Sequence, residues 1–80
     1  MKCRIKAFGV SKEIVGGKLL ELELPEGYRV SELKQELLQR FPQFADLKSL
    51  YIALNNEYAL DDTILRDNDE IALIPPVSGG

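Results

Sequence analysis

The sequence predicts an α+β domain: one mixed sheet of four to five strands, with a single main helix packed on one face. Three observations predict it. Residues 1–8 and 18–24 alternate apolar and polar side chains with a period of two. Residues 31–41 carry Leu33, Leu37, Leu38 and Phe41, the spacing of one helix face. Period two then returns at 50–54, followed by a short strand at 57–60 whose register the sequence leaves open and a final apolar strand at 70–74. The order is β-β-α-β-β, strands gathered around one helix. The first and last strands are the longest and most apolar, so they belong side by side at the sheet centre. The hairpins then lie outside a parallel central pair.

The first strand places Cys3, Ile5 and Ala7 on one face and Lys2, Arg4, Lys6 and Phe8 on the other. Gly9 breaks it. Residues 11–15 suit one helical turn, which Gly16-Gly17 ends. The second strand turns Leu20, Leu22 and Leu24 inward and Glu21 and Glu23 outward; Leu19 falls on the outward side. Pro25-Glu26-Gly27 is a turn.

Ser31 is the expected N-cap of the main helix, and Glu32 suits its positive end. Lys34 rules out a capping box built on that serine. Glu36 and Arg40 form a favourable i, i+4 pair, and Pro42 stops the helix. Residues 44–49 connect to a strand with Leu50, Ile52 and Leu54 inward. Asn55-Asn56 can take the positive φ angles of a tight hairpin. Residues 57–60 form the return strand. Asp61-Asp62-Thr63 is a turn, and Ile64 and Leu65 are expected to plug the underside of the core. Asp67-Asn68-Asp69 is a further turn, with Asn68 the candidate left-handed residue.

The bulk numbers agree with one small domain. The chain has 80 residues, 45% of them hydrophobic and 29% charged, which argues against disorder. A net charge of −3 argues against a general nucleic-acid surface. One cysteine, Cys3, excludes an internal disulfide and fits a reducing compartment. Neither a secretory segment nor a membrane span is legible, so the expectation is a soluble, cytoplasmic protein without a membrane partner.

Little conventional chemistry is on offer. With no histidine and one cysteine, Cys/His zinc sites and Ser-His-Asp catalysis are excluded, and no metal site is expected. Cys3 lies on an inward strand face and reads as a buried structural thiol. Gly16-Gly17-Lys18 lacks the upstream glycine and the following Ser or Thr of a phosphate loop. Asp67-Asn68-Asp69-Glu70 lacks the glycine and the distant glutamate of a calcium loop.

Two features remain. The first is the end of the chain, Pro75-Pro76-Val77-Ser78-Gly79-Gly80, read as a flexible tail on a domain of residues 1–74. The prolines lack the N–H a ladder needs and set a stiff exit. Beyond them, Val77 to Gly80 reach about 13 Å at about 3.3 Å per residue. Two terminal glycines make a slim end with a free carboxylate, suited to a narrow channel in another protein. The plainer reading is an ordinary frayed terminus. The second feature is an outward apolar set next to the tail's root: Phe8, Ala72 and Ile74, with Tyr51, Ala53 and Tyr58 nearby.

Residues 67–80, Asp67-Asn68-Asp69-Glu70-Ile71-Ala72-Leu73-Ile74-Pro75-Pro76-Val77-Ser78-Gly79-Gly80, resemble the C-terminus of the small, sulfur-carrying subunits of molybdopterin synthase. That family has a Gly-Asp-Glu turn, an apolar strand, Pro-Pro-Val, a small hydroxyl residue and terminal Gly-Gly; its turn glycine is Asn68 here. The resemblance implies a ubiquitin-like β-grasp fold and a carrier without catalysis of its own. An activating enzyme would use ATP, the only cofactor implied and not one bound permanently, to adenylate the Gly80 carboxylate. A sulfur donor protein would displace AMP and leave a thiocarboxylate. The tail would then enter the catalytic large subunit of a two-plus-two heterotetramer and give its sulfur to the cyclic pterin precursor. Apolar residues at the positions of Phe8, Tyr58 and Ile74 would contact that subunit, and Ala72, on the same outward face of the last strand, is expected to join them. Carriers of the cysteine, thiamine and tRNA-thiolation pathways share the fold, as do ubiquitin-like protein modifiers. Pro-Pro-Val-Ser before Gly-Gly points away from the thiamine carrier.

Overall fold

A computed structural model describes residues 1–47 and 49–74. Five strands form one mixed sheet: β1 (Lys2–Ala7), β2 (Leu19–Glu23), β3 (Tyr51–Leu54), β4 (Glu57–Tyr58) and β5 (Ile71–Ile74). Their spatial order is β2-β1-β5-β3-β4. The first and last strands lie side by side and parallel, with Ile5 opposite Ile71 and Ala7 opposite Leu73. The outer pairs are antiparallel, as expected for hairpin-linked strands. No helix of the described residues is long and apolar enough to cross a membrane.

The main helix, α2 (Val30–Arg40), lies on one sheet face; α1 (Val10–Val15) is a short helix between β1 and β2. Val30, Leu33 and Leu37 of α2 are fully buried against Ile5, Leu22, Ile52, Ile71 and Leu73. Phe44, in a 3₁₀ turn over Pro42–Asp46, closes one end of this core and meets Phe41 edge to face at 6.1 Å. Each large buried aliphatic side chain contributes about 1.5–3 kcal/mol by leaving water.

The helix starts earlier than expected. Arg29, not Ser31, is the N-cap, and its N–H donates to Glu32 Oε1 at 2.9 Å. Glu32 therefore reaches back as the glutamate of a capping box does, three residues after the true cap. The N–H groups of Val30 and Ser31 donate to the carbonyls of Thr63 and Asp61, both at 2.9 Å. Long-range backbone acceptors thus satisfy the first two N–H donors of the helix, which lie ahead of those a Ser31 cap would serve.

Several inward assignments also change. Leu38 is 41% exposed, because Leu33 and Leu37 already fill the stripe facing the sheet. Leu38 lies about 100° further round the helix and flanks the core beside Phe44, Leu47 and Leu50. Ile64 is half exposed, whereas Leu65 is buried. Residues 63–65 run extended along the start of α2, with Leu65 N–H donating to the Tyr28 carbonyl at 2.8 Å. Neighbours in extended chain point opposite ways, so only one of the two can plug the core. Leu20 is only half-buried near the sheet edge, while Leu22 and Leu24 are buried.

The two asparagines of the β3–β4 hairpin have φ of 53° and 70°, the pair of positive angles a two-residue hairpin requires. Asn68 is not left-handed. Its turn is closed instead by Asp69 N–H donating to the Arg66 carbonyl at 3.1 Å. The Asp69 carboxylate accepts from Arg66 N–H at 2.8 Å. β4 is shorter than expected and its register is now defined, with Tyr58 opposite Ala53.

Candidate interface at the root of the tail

β5 is the platform of the site. It pairs with β1 on one side and β3 on the other, so its backbone is held from both edges. Its alternation is strict. Ile71 and Leu73 are buried in the core, while Ala72 and Ile74 face the other side and are half-buried. Because β1 runs parallel to β5, Phe8, just beyond Ala7, comes to the same end of the sheet as Ile74. Because β3 runs antiparallel, its first residue, Tyr51, pairs with Ile74. The sheet thus gathers apolar side chains around the last described residue.

Gly9 aims Phe8. Its φ of 57° and ψ of −132° lie where a residue with a Cβ is strained, and they turn the chain sharply from β1 into α1. Gly16 closes the same loop, with φ 85° and its N–H donating to the Lys12 carbonyl at 2.9 Å. Phe8 is left 48% exposed at the sheet surface.

Phe8, Tyr58, Ala72 and Ile74, the four residues expected to contact a partner, line one shallow groove of about 350 Å³. Tyr58 is 71% exposed and meets Tyr51 at 5.6 Å between ring centroids, tilted 64°. Ala53, expected on this face, is 8% exposed and lies on the groove floor. Its small side chain, opposite Tyr58 and beside Ala72, leaves the depression between the aromatic walls. Asn56, Lys6 and Glu70 complete the rim, and sequence reasoning had not assigned them. Their signal was present, since each follows the outward parity of its strand or occupies the hairpin tip.

Pro75, Pro76, Val77, Ser78, Gly79 and Gly80 lie outside the described residues. Cys3 is 3% exposed, and burial pushes its thiol up from the ordinary range, so thiolate chemistry is disfavoured there. Among the described residues, no group of three or more carboxylate or cysteine side chains is placed to hold a metal ion.

The comparisons with known proteins follow the same lines. Residues 5–80 match the ThiS family. The chain is 35% identical over 81 residues to the molybdopterin synthase sulfur carrier subunit of Arabidopsis thaliana, covering all of this chain and 84% of that protein. Among solved structures, it resembles molybdopterin converting factor subunit 1 of Pyrococcus furiosus at a TM-score of 0.86 and 31% identity. That match covers 96% of this chain and 99% of the other. It also resembles, at a TM-score of 0.67 and 27% identity over the whole of both chains, a component of the complex of subunits 1 and 2 of the Helicobacter pylori molybdopterin-converting factor. The fold is the ubiquitin-like β-grasp, and the chain belongs to the ThiS family, among relatives that are molybdopterin synthase sulfur carrier subunits.

Proposed function

We propose that this protein is the sulfur carrier subunit of a molybdopterin synthase and that the C-terminal carboxylate of Gly80 is its chemical centre. The observation that carries the reading is the coincidence of an apolar groove and a chain exit on one central strand. Phe8, Tyr58, Ala72 and Ile74 surround the point from which the Gly-Gly tail continues. A partner that covers the groove has the tail delivered beside it. Kinship with named sulfur carrier subunits, and with a subunit solved in complex with a second one, supports the same reading.

The chemistry follows from the weakness of a carboxylate as an electrophile. An activating enzyme spends ATP to join the Gly80 carboxylate to AMP, releasing pyrophosphate. A sulfur donor protein delivers sulfide-level sulfur that displaces AMP, leaving a C-terminal thiocarboxylate. That sulfur then attacks the cyclic pterin precursor inside the large subunit, which supplies the catalytic groups, and water cleaves the carbonyl–sulfur bond to restore the Gly80 carboxylate. This chain contributes position and cargo. Residues 1–74 dock, Pro75 and Pro76 direct the exit, and Gly79 and Gly80 pass a channel too narrow for side chains. Two such chains on a dimer of large subunits make a two-plus-two assembly. The free buried thiol of Cys3 suits a reducing compartment, and the reading places the protein in the cytoplasm.

Two variants test the role of the terminus. Deleting Gly80, or adding one residue after it, should leave the fold intact and abolish sulfur transfer. Full activity in either variant would refute the assignment.

A further inference from the structure

Phe8 separates two grooves. On its other side from Tyr58, a second groove is lined by Lys6, Ala7, Phe8, Lys12, Lys18 and Leu19. Three segments build it. Lys6 pairs with Leu19 in the β1–β2 register. Ala7 N–H donates to the Lys18 carbonyl at 2.9 Å. Lys12 arrives from α1 after the Gly9 bend, its N–H bonded to the Gly9 carbonyl at 3.1 Å. Phe8 and Leu19 are 48% and 50% exposed, so the floor is apolar and open while the rim carries three ammonium groups.

What sets this rim apart is the clustering of three lysines in one groove of a chain of net charge −3. Elsewhere among the described residues Arg4 pairs with Glu21 at 3.3 Å, Lys34 with Asp61 at 2.8 Å and Arg40 with Glu36 at 2.8 Å, whereas Lys2, Arg29 and Arg66 stand unpaired on other parts of the surface. Lys6 meets Glu70 only at 3.7 Å, in an exposed pair that is worth little. Among the described residues, Lys12 and Lys18 have no ion-pair partner. A carboxylate from outside would pair the open ammonium groups of Lys12 and Lys18, and an apolar side chain beside it would cover Phe8 and Leu19.

We propose that this groove receives an acidic segment of the large subunit, with an apolar side chain seated on Phe8 and Leu19 and carboxylates against Lys12 and Lys18. The proposal rests on the function given above. It commits to the large subunit because Phe8 lines both grooves, so a partner seated on Tyr58, Ala72 and Ile74 runs directly onto Leu19. The lysine rim steers the encounter and sets its orientation, as complementary charges do at many interfaces.

The test measures association of the full chain with the large subunit from the same genome, at several salt concentrations. Lys12→Glu and Lys18→Glu alter exposed side chains and should leave thermal stability unchanged. Each should slow association about tenfold or more at low salt and flatten its salt dependence. Arg66→Glu makes the same charge change in an exposed turn on another part of the surface and should not. Equal slowing by Arg66→Glu would mean a general charge effect and would overturn the inference. Tyr58→Asp touches only the first groove and separates the two readings. If it abolishes binding while the lysine variants bind normally, this inference fails and the proposed interface stands. If Tyr58→Asp also binds normally, the interface reading itself has failed. A loss confined to the activating enzyme would overturn the choice of partner.

Discussion

Tyr58→Ala should separate binding from folding. Tyr58 sits on the two-residue edge strand β4 and is 71% exposed. A tyrosine presents about 200 Å² in all, so roughly 140 Å² remains for a partner to cover. At about 25 cal/mol per Å² that is an upper figure of about 3.5 kcal/mol. Ordering and desolvation take part of it, leaving an expected loss of about 2–3 kcal/mol, or roughly 30- to 150-fold in Kd. The cost to folding is smaller. The buried part of the ring and its edge contact with Tyr51 amount to about 1 kcal/mol, which lowers Tm by about 4–8 °C in a domain of this size. Titration calorimetry against the large subunit at 25 °C, with a thermal melt of the free variant, reads both quantities. An unchanged Kd would refute the placement of Tyr58 in the interface. A collapse of the melt would show that the ring supports the fold instead.

Leu73→Ala should do the reverse. Leu73 is fully buried at the centre of the sheet, so a loss of about 2–5 kcal/mol in chemical denaturation is expected. Any remaining folded fraction should bind normally. Asn56→Gly should hold or raise Tm by a few degrees, because the φ of 70° at that position suits glycine in a two-residue hairpin; a fall of Tm would contradict the turn geometry. Glu36 accepts from Arg40 Nε at 2.8 Å, and that bond, with lesser help from the Tyr28 hydroxyl, holds its carboxyl below the ordinary range. The pair therefore contributes stability at neutral pH that is lost as pH falls through the lowered value. Glu36→Gln should be slightly less stable at pH 7 and should show a shallower acid decline; parallel acid curves would refute the pairing.

Much of this architecture was legible because the sheet's periodicity is clean where it matters. Ile5, Ile71 and Leu73 are buried at alternate positions of β1 and β5, and Ile52 lies in the core as expected, although β3 buries Ala53 as well as Ile52 and Leu54. The parallel centre was expected from the length and apolar weight of the first and last strands; the placement holds, but β1 alternates three cations with Cys3, Ile5 and Ala7, and β5, with four residues, is shorter than β2 with five. The outward set Phe8, Ala72 and Ile74 was likewise a matter of parity; Tyr58 was expected beside it from the family resemblance, and the hairpin register places it opposite Ala53. What sequence could not supply were contacts made across the fold. The start of α2 depends on carbonyls of Asp61 and Thr63, some thirty residues away, so no local capping rule located it. Ile64 and Leu65 looked equivalent until the chain beside α2 was extended. Asn68 looked like a left-handed residue because asparagine tolerates that geometry, yet the Asp69 carboxylate holds the turn without it. The lysine rim was invisible for the same reason. Lys6, Lys12 and Lys18 are spread along the chain, and only the Gly9 bend and the β1–β2 pairing bring them around Leu19.

The central claim is that Gly80 carries the sulfur, and one reconstitution tests it most directly. The protein is thiocarboxylated at Gly80, verified by mass as the exchange of one oxygen for sulfur, and mixed with the large subunit and the cyclic pterin precursor. The account predicts dithiolene product in proportion to the thiocarboxylate consumed, and none from the unmodified chain. Consumption of the thiocarboxylate without dithiolene product, or lysine-linked adducts of this chain accumulating in cell lysate instead, would contradict it.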